Sequence, residues 1–141
     1  MKKKSTDLRP LQDLALFADC SASELEQVRR LVTSIRVDAG TVLMREGSIG
    51  FELVIIADGQ AVVTSDVHGE LLATLGAGDF IGEMSLLSGE PRSATVTVTT
   101  DAEVLVCTRR EFRSILDIAP TIGLRIAETG AARREANRRA A

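Results

Sequence analysis

Two charged side chains nine residues apart, Glu83 and Arg92, carry the chemistry on offer in this chain. Glu83 follows Gly82 and opens the short run Met84-Ser85-Leu86-Leu87. Arg92 stands in Pro91-Arg92-Ser93-Ala94-Thr95-Val96. A guanidinium can grip two phosphate oxygens at once, and the amides of a helix start, here those of Met84 and Ser85, add donors for the same anion. A carboxylate accepts a hydrogen bond from a hydroxyl. Together these residue types suit a small anion that carries a sugar. Each charged residue also has a plainer reading. Glu83 could complement a helix N-terminus, worth roughly 0.3–1 kcal/mol, and Arg92 could sit in an exposed ion pair of little energetic value. The pairing of the two favours the ligand role. So does Pro91, which fixes the approach, and so do the small Ser93 and Ala94, which leave room beside the guanidinium.

Such a site needs a framework, and the flanking sequence supplies one. Leu8, Leu11, Leu14, Ala15 and Ala18 recur at helical spacing near the N-terminus. Ser21 with Glu24 is a capping-box pattern that predicts a second helix to about Thr33, with Leu25, Val28, Leu31 and Val32 on its apolar face. From Ile35 to Cys107 the chain reads as short strands punctuated by glycine: 41–44, 52–57, 60–65, 70–75, 95–99 and 103–108. Asp58-Gly59 predicts a tight hairpin joining the second of these to the third, and residues 66–69 a further turn. After Arg109 the pattern is helical again, with Phe112, Ile115 and Leu116 before a break at Pro120, then Ile122, Ile126 and Thr129. Strands of this length and spacing argue for an antiparallel barrel or sandwich flanked by helices.

Residues 80–95 strongly resemble the phosphate-binding cassette of cyclic-nucleotide-binding domains, as found in catabolite-activator-type regulators, cyclic-nucleotide-dependent kinases and cyclic-nucleotide-gated channels. The turns at Arg45-Glu46-Gly47, Gly59 and Gly78-Asp79 sit where that family usually has its own. The resemblance implies a mainly β fold: an antiparallel, jelly-roll-like β-roll at 35–108, with helices at 1–34 and 109–141, all one domain over 1–141. It implies a ligand site made of Gly82, Glu83, Met84, Ser85, Arg92 and Ser93. In that site Glu83 accepts the ribose 2′-hydroxyl and Arg92 carries the phosphate charge. Ser93 is compatible with either nucleotide, since a hydroxyl there can reach the 2-amino group of a syn guanine, so cAMP is favoured with cGMP as second candidate. The apolar wall, Val62, Val63 and Leu72 among it, would pack the purine. A lid near Leu124 to Thr129 would close on it, with Arg125 as a cap candidate or simply a solvated helical arginine.

Other classes fit less well. The chain has 141 residues, enough for one domain with a proper core, and 45% hydrophobic residues but four Phe and no Trp or Tyr. Its net charge of −3 gives no global basic excess for nucleic acid. Neither a signal peptide nor a membrane span is readable, so a cytoplasmic location is expected. Two cysteines, Cys20 and Cys107, are too few for a disulfide framework. A cupin-type metal site needs several histidines, and only His68 is present, in an expected hairpin tip. With no Walker-type loop or nucleophile elbow, the expectation is a binding domain rather than an enzyme, needing no metal and no cofactor beyond its ligand. Two alternatives stand beside it: an interaction module of the same fold with a vestigial pocket, and the sensor part of a transcription regulator lacking its DNA-binding domain. Arg133, Arg134, Arg138 and Arg139 read as a solvated face. The apolar stripe fades after Ile126 towards Gly130, so a monomer or weak dimer is expected, a free-standing sensor acting on an effector protein.

Overall fold

The structure, a computed structural model, describes residues 3–4, 11–67 and 69–129. The readings made above for Leu8, His68, Gly130 and the arginines from 133 to 139 lie outside these.

Among the described residues, nine strands form two antiparallel sheets. They are β1 (Lys3–Lys4), β2 (Thr33–Val37), β3 (Val42–Met44), β4 (Glu52–Asp58), β5 (Ala61–Ser65), β6 (Glu70–Leu75), β7 (Phe80–Ile81), β8 (Thr95–Val98) and β9 (Ala102–Thr108). One sheet has the order β1-β2-β9-β4-β7 and the other β3-β8-β5-β6. Helices α1 (Ala22–Arg29) and α3 (Arg109–Ile118) flank the roll, with α2 (Glu83–Ser88) set into it. A further helix, α4, covers residues 120–129. This is the expected β-roll between helices.

The strand β4 explains the topology. Its Leu53-Val54-Ile55-Ile56-Ala57 run is apolar on both faces and buried throughout, so it belongs in the middle of a sheet covered on both sides. Alternation sends Leu53, Ile55 and Ala57 into a core shared with the helices, and Val54 and Ile56 into the interior of the roll. Leu105 and Cys107 of β9 join the helical side, Ala102 and Val104 the roll side. Burial pushes the Cys107 thiol up to about 12, aided by Glu111, so it packs as a small apolar group.

Three expectations need correction. The hairpin expected across Asp58-Gly59 does not form, because β4 pairs with β7 and β9 while β5 pairs with β6 and β8. The turn carries the chain from one sheet to the other instead. Gly59 adopts φ +102°, and a Cβ there would stand 2.7 Å from that of Ala102. At the N-terminus the expected helix is two single 3₁₀ turns, Leu11–Asp13 and Ala15–Phe17. Leu11, Leu14 and Phe17 are spaced by three, the 3₁₀ period, and all are buried. Finally, α1 keeps its predicted Ser21–Glu24 capping box but stops at Arg29, since Thr33 already starts β2. The same device, Thr108 with Glu111, opens α3. Pro120 begins α4, where its missing N–H costs nothing.

Candidate functional site

Phe80 and Ile81 of β7 deliver the chain to Gly82, the N-cap of α2, at φ +95°. Only glycine adopts that conformation without strain, and the space is closed as well. A Cβ here would lie 2.6 Å from Arg92 Nη1 and 2.7 Å from the Glu52 carbonyl oxygen. The first α-helical bond of α2 runs from the Leu86 amide to the Gly82 carbonyl at 3.1 Å, which leaves the amides of Met84 and Ser85 without an intrahelical acceptor.

Arg92 arrives from the far side of the cassette. Its Nη1 donates to the Gly82 carbonyl at 3.1 Å and its Nη2 to the Glu52 carbonyl at 2.9 Å. Its main chain is fastened too: the Arg92 amide donates to Ser48 (2.7 Å) and its carbonyl accepts from the Gly47 amide (2.8 Å). The residue is only 7% exposed. Burial pushes the guanidinium pKa below the usual arginine value, and the carboxylates of Glu52 and Glu83 oppose that shift. Arginine stays charged regardless, so the site holds a desolvated cation beside two carboxylates.

These groups line a cavity of about 350 Å³. Gly82, Glu83, Ser85, Arg92 and Ser93 all border it, and Met84 sits between Glu83 and Ser85 in the first turn of α2. Glu83 and Ser85 are buried. Much of the remaining lining is apolar, with Met44, Val63, Leu72, Leu75 and Val96. Leu72 lines the cavity yet is 51% exposed, marking the open rim. So the cassette brings together one cation, one carboxylate, small side chains and an oily surface. That set can hold a phosphate, a sugar hydroxyl and a flat apolar ring at once.

Residues 34–118 match the family profile described as cyclic nucleotide-binding domain. The chain belongs to the cyclic nucleotide-binding domain family. It is 39% identical over 114 residues, 81% of its length, to a cyclic nucleotide-gated potassium channel of Rhizobium etli, of which it spans 31%. In structure it is similar to the catabolite activator protein of Thermus thermophilus. There the TM-score is 0.77 at 28% identity, covering 86% of this chain and 59% of that one. It is also similar to PfPKA-R bound to cAMP, with a TM-score of 0.74 at 25% identity, covering 90% of this chain and 45% of that one.

As a cyclic nucleotide-binding domain the chain departs from expectation at one point. Val62 does not border the cavity while its neighbour Val63 does, as the two-residue period of a strand requires. The lid expected near Leu124 to Thr129 is a closure on bound nucleotide, and in this structure those residues lie outside the cavity lining. Ile122 and Ile126 pin α4 into the helical core with Phe17 and Phe112. Arg125 is committed elsewhere, donating to the Ala15 carbonyl at 2.8 Å and pairing with Asp19 at 2.5 Å.

Other participants escaped the sequence reading. A side chain at Gly50 would collide with the Arg92 guanidinium, so this glycine makes the arginine's seat. The Thr95 hydroxyl accepts from the Glu46 amide and donates to Asp66, while the Asp66 amide donates to Glu46, each at 3.0 Å. This ring ties the 45–47 turn to the β5–β6 hairpin beside the cavity. Glycine in Ser48-Ile49-Gly50 was the one available signal for the first. The ring joins residues far apart in sequence and left no local trace.

Proposed function

We propose that this chain is a regulatory sensor that binds a cyclic nucleotide, cAMP in preference to cGMP, and passes occupancy on to an effector protein. The observation that carries the reading is Arg92, a buried guanidinium held at a cavity wall with Glu83 on the same lining. Burying a cation costs free energy unless an anion compensates it, and a cyclic phosphodiester supplies one charge in a form that a guanidinium can grip twice. Glu83 then takes the ribose 2′-hydroxyl, and the amides of Met84 and Ser85 face the phosphate. The preference for cAMP rests on the largely apolar wall, and Ser93, compatible with either nucleotide, keeps cGMP as the second candidate. The reading includes no catalysis and no cofactor. It also includes a cytoplasmic location, in keeping with Cys20 and Cys107 as free thiols. Among the described residues, no helix is long and apolar enough to cross a membrane.

Calorimetric titration with cAMP, cGMP and linear 5′-AMP tests it. Binding should be tightest for cAMP and weakest for 5′-AMP, and chromatography should recover the cAMP unchanged. Silence with every nucleotide at millimolar concentration would turn the reading into an interaction module of the same fold. Tighter cGMP binding would reverse the stated preference alone.

A further inference from the structure

We propose that the Thr95 hydroxyl, with Glu46 and Asp66, is a positioning latch that sets where the β5–β6 hairpin stands over the cavity relative to Arg92. The inference rests on the nucleotide reading above and deepens it, giving a residue outside the cavity lining control over how tightly the base is held. The hairpin supplies Val63, Leu72, Ala73 and Leu75 to that lining. Successive residues of a regular strand face opposite ways, yet Leu72 and Ala73 both border the cavity. The register explains this: Val63 pairs with Ala73 and Thr64 with Leu71, so Leu72 is the extra residue of a β-bulge.

The hairpin has little else to hold it. Among the described residues β6 ends its sheet and bonds to β5 alone, and every residue of it but Leu75 is exposed. β5 in turn pairs with β8 from Ala61 to Thr64, the last of these opposite Thr95. The ring closes at this point, just past the final pair. The Glu46 amide donates to Thr95 Oγ1, Thr95 Oγ1 donates to Asp66 Oδ1, and the Asp66 amide donates to Glu46 Oε1, each at 3.0 Å. A hydroxyl both donates and accepts, so Thr95 serves two neighbours at once and a methyl in its place would serve neither. The other side of the ring reaches the phosphate grip twice. Thr95 follows Arg92 by three residues, and Ser93 and Ala94 between them line the cavity. Glu46 precedes Gly47 and Ser48, which hold the Arg92 main chain at 2.8 and 2.7 Å. One buried hydroxyl thus joins the mounting of the cation to the wall that would pack the base.

Hydrogen exchange on the nucleotide-free protein, with calorimetric titration of cAMP and of base-free ribose 3′,5′-cyclic phosphate, tests the latch. Thr95→Val should speed exchange across residues 62–75 and weaken cAMP binding about tenfold. The base-free ligand should keep its affinity, and the melting temperature should fall little. Thr95→Ser retains the hydroxyl and should restore both exchange and cAMP affinity. Asp66→Ala breaks the ring at an exposed residue, where misfolding is not at issue, and should repeat the valine result. The proposal is overturned if exchange in the hairpin is unchanged, if both ligands weaken alike, or if serine fails to rescue. A parent protein that binds no cyclic nucleotide, while Thr95→Val still loosens the hairpin, would sink the nucleotide reading and leave the tie itself standing.

Discussion

Arg92 and Arg125 both donate to backbone carbonyls, yet they sit in regions built to opposite ends. Around Arg92 the fold leaves volume unfilled: a cavity of about 350 Å³, a glycine wherever a side chain would intrude, and buried charge. Around Arg125 the fold is packed from beneath. Ile122 and Ile126 fill the space against Phe17, Phe112 and Ile115, and the arginine spans the surface to Ala15 and Asp19 with 38% of its side chain exposed. The same side chain is a buried cation at a cavity wall in one place and a surface tie in the other. Burial and the emptiness beside it make the difference, and the residue type does not.

Substitutions can break that contrast. The largest effect is expected for Arg92→Ala, which on the proposed reading removes two charge-assisted contacts to phosphate, together about 3–4 kcal/mol, or roughly 150- to 1000-fold in nucleotide affinity by calorimetry. It also strips donors from the Gly82 and Glu52 carbonyls, so a lower melting temperature should accompany the loss. Unchanged affinity would end the site assignment. Ile122→Ala should do the reverse, costing about 2–4 kcal/mol in denaturant unfolding while the folded fraction binds nucleotide like the parent. Coupled losses of both would erase the division between the two regions. Gly50→Ala probes the arginine's seat, and a methyl there should displace the guanidinium and weaken binding by about tenfold, or ~1.4 kcal/mol. The smallest effect belongs to Arg125→Ala. Its ion pair is mostly solvated, so a stability loss below about 1 kcal/mol with unaltered affinity is expected. A large drop in nucleotide binding would show that Arg125 reaches the ligand after all.

What could be read beforehand divides along similar lines. The cassette was legible because Gly82, Glu83, Arg92 and Ser93 lie within twelve residues and need only a turn and one helical loop to meet. The capping box at Ser21 is local in the same sense, while the equally local one at Thr108 was passed over. Gly50 and the Glu52 carbonyl were not legible, since they join the site across the sheet, 40 or more residues from Arg92. The Asp58-Gly59 dipeptide misled for a related reason. Its local preference for a turn is real and the chain does turn there. Which strands then pair is decided by how much of β4 must be buried, a property of the whole roll. The N-terminal leucines misled by period, because a spacing of three suits a 3₁₀ turn as well as a ragged α-helix.

The crossing at Gly59 has a consequence for how the chain reaches this state. One sheet takes the first, second, fourth, seventh and ninth strands and the other takes the third, fifth, sixth and eighth, so the two are interleaved along the chain. No contiguous stretch can complete either sheet, and β2 must wait for β9, with Thr33 meeting Val106 across the whole roll. Such non-local closure favours slow, all-or-none folding. The seat that Gly50, Gly82 and Glu52 make for Arg92 is therefore complete only once the roll has closed, so on the proposed reading a chain still lacking β9 should not bind nucleotide.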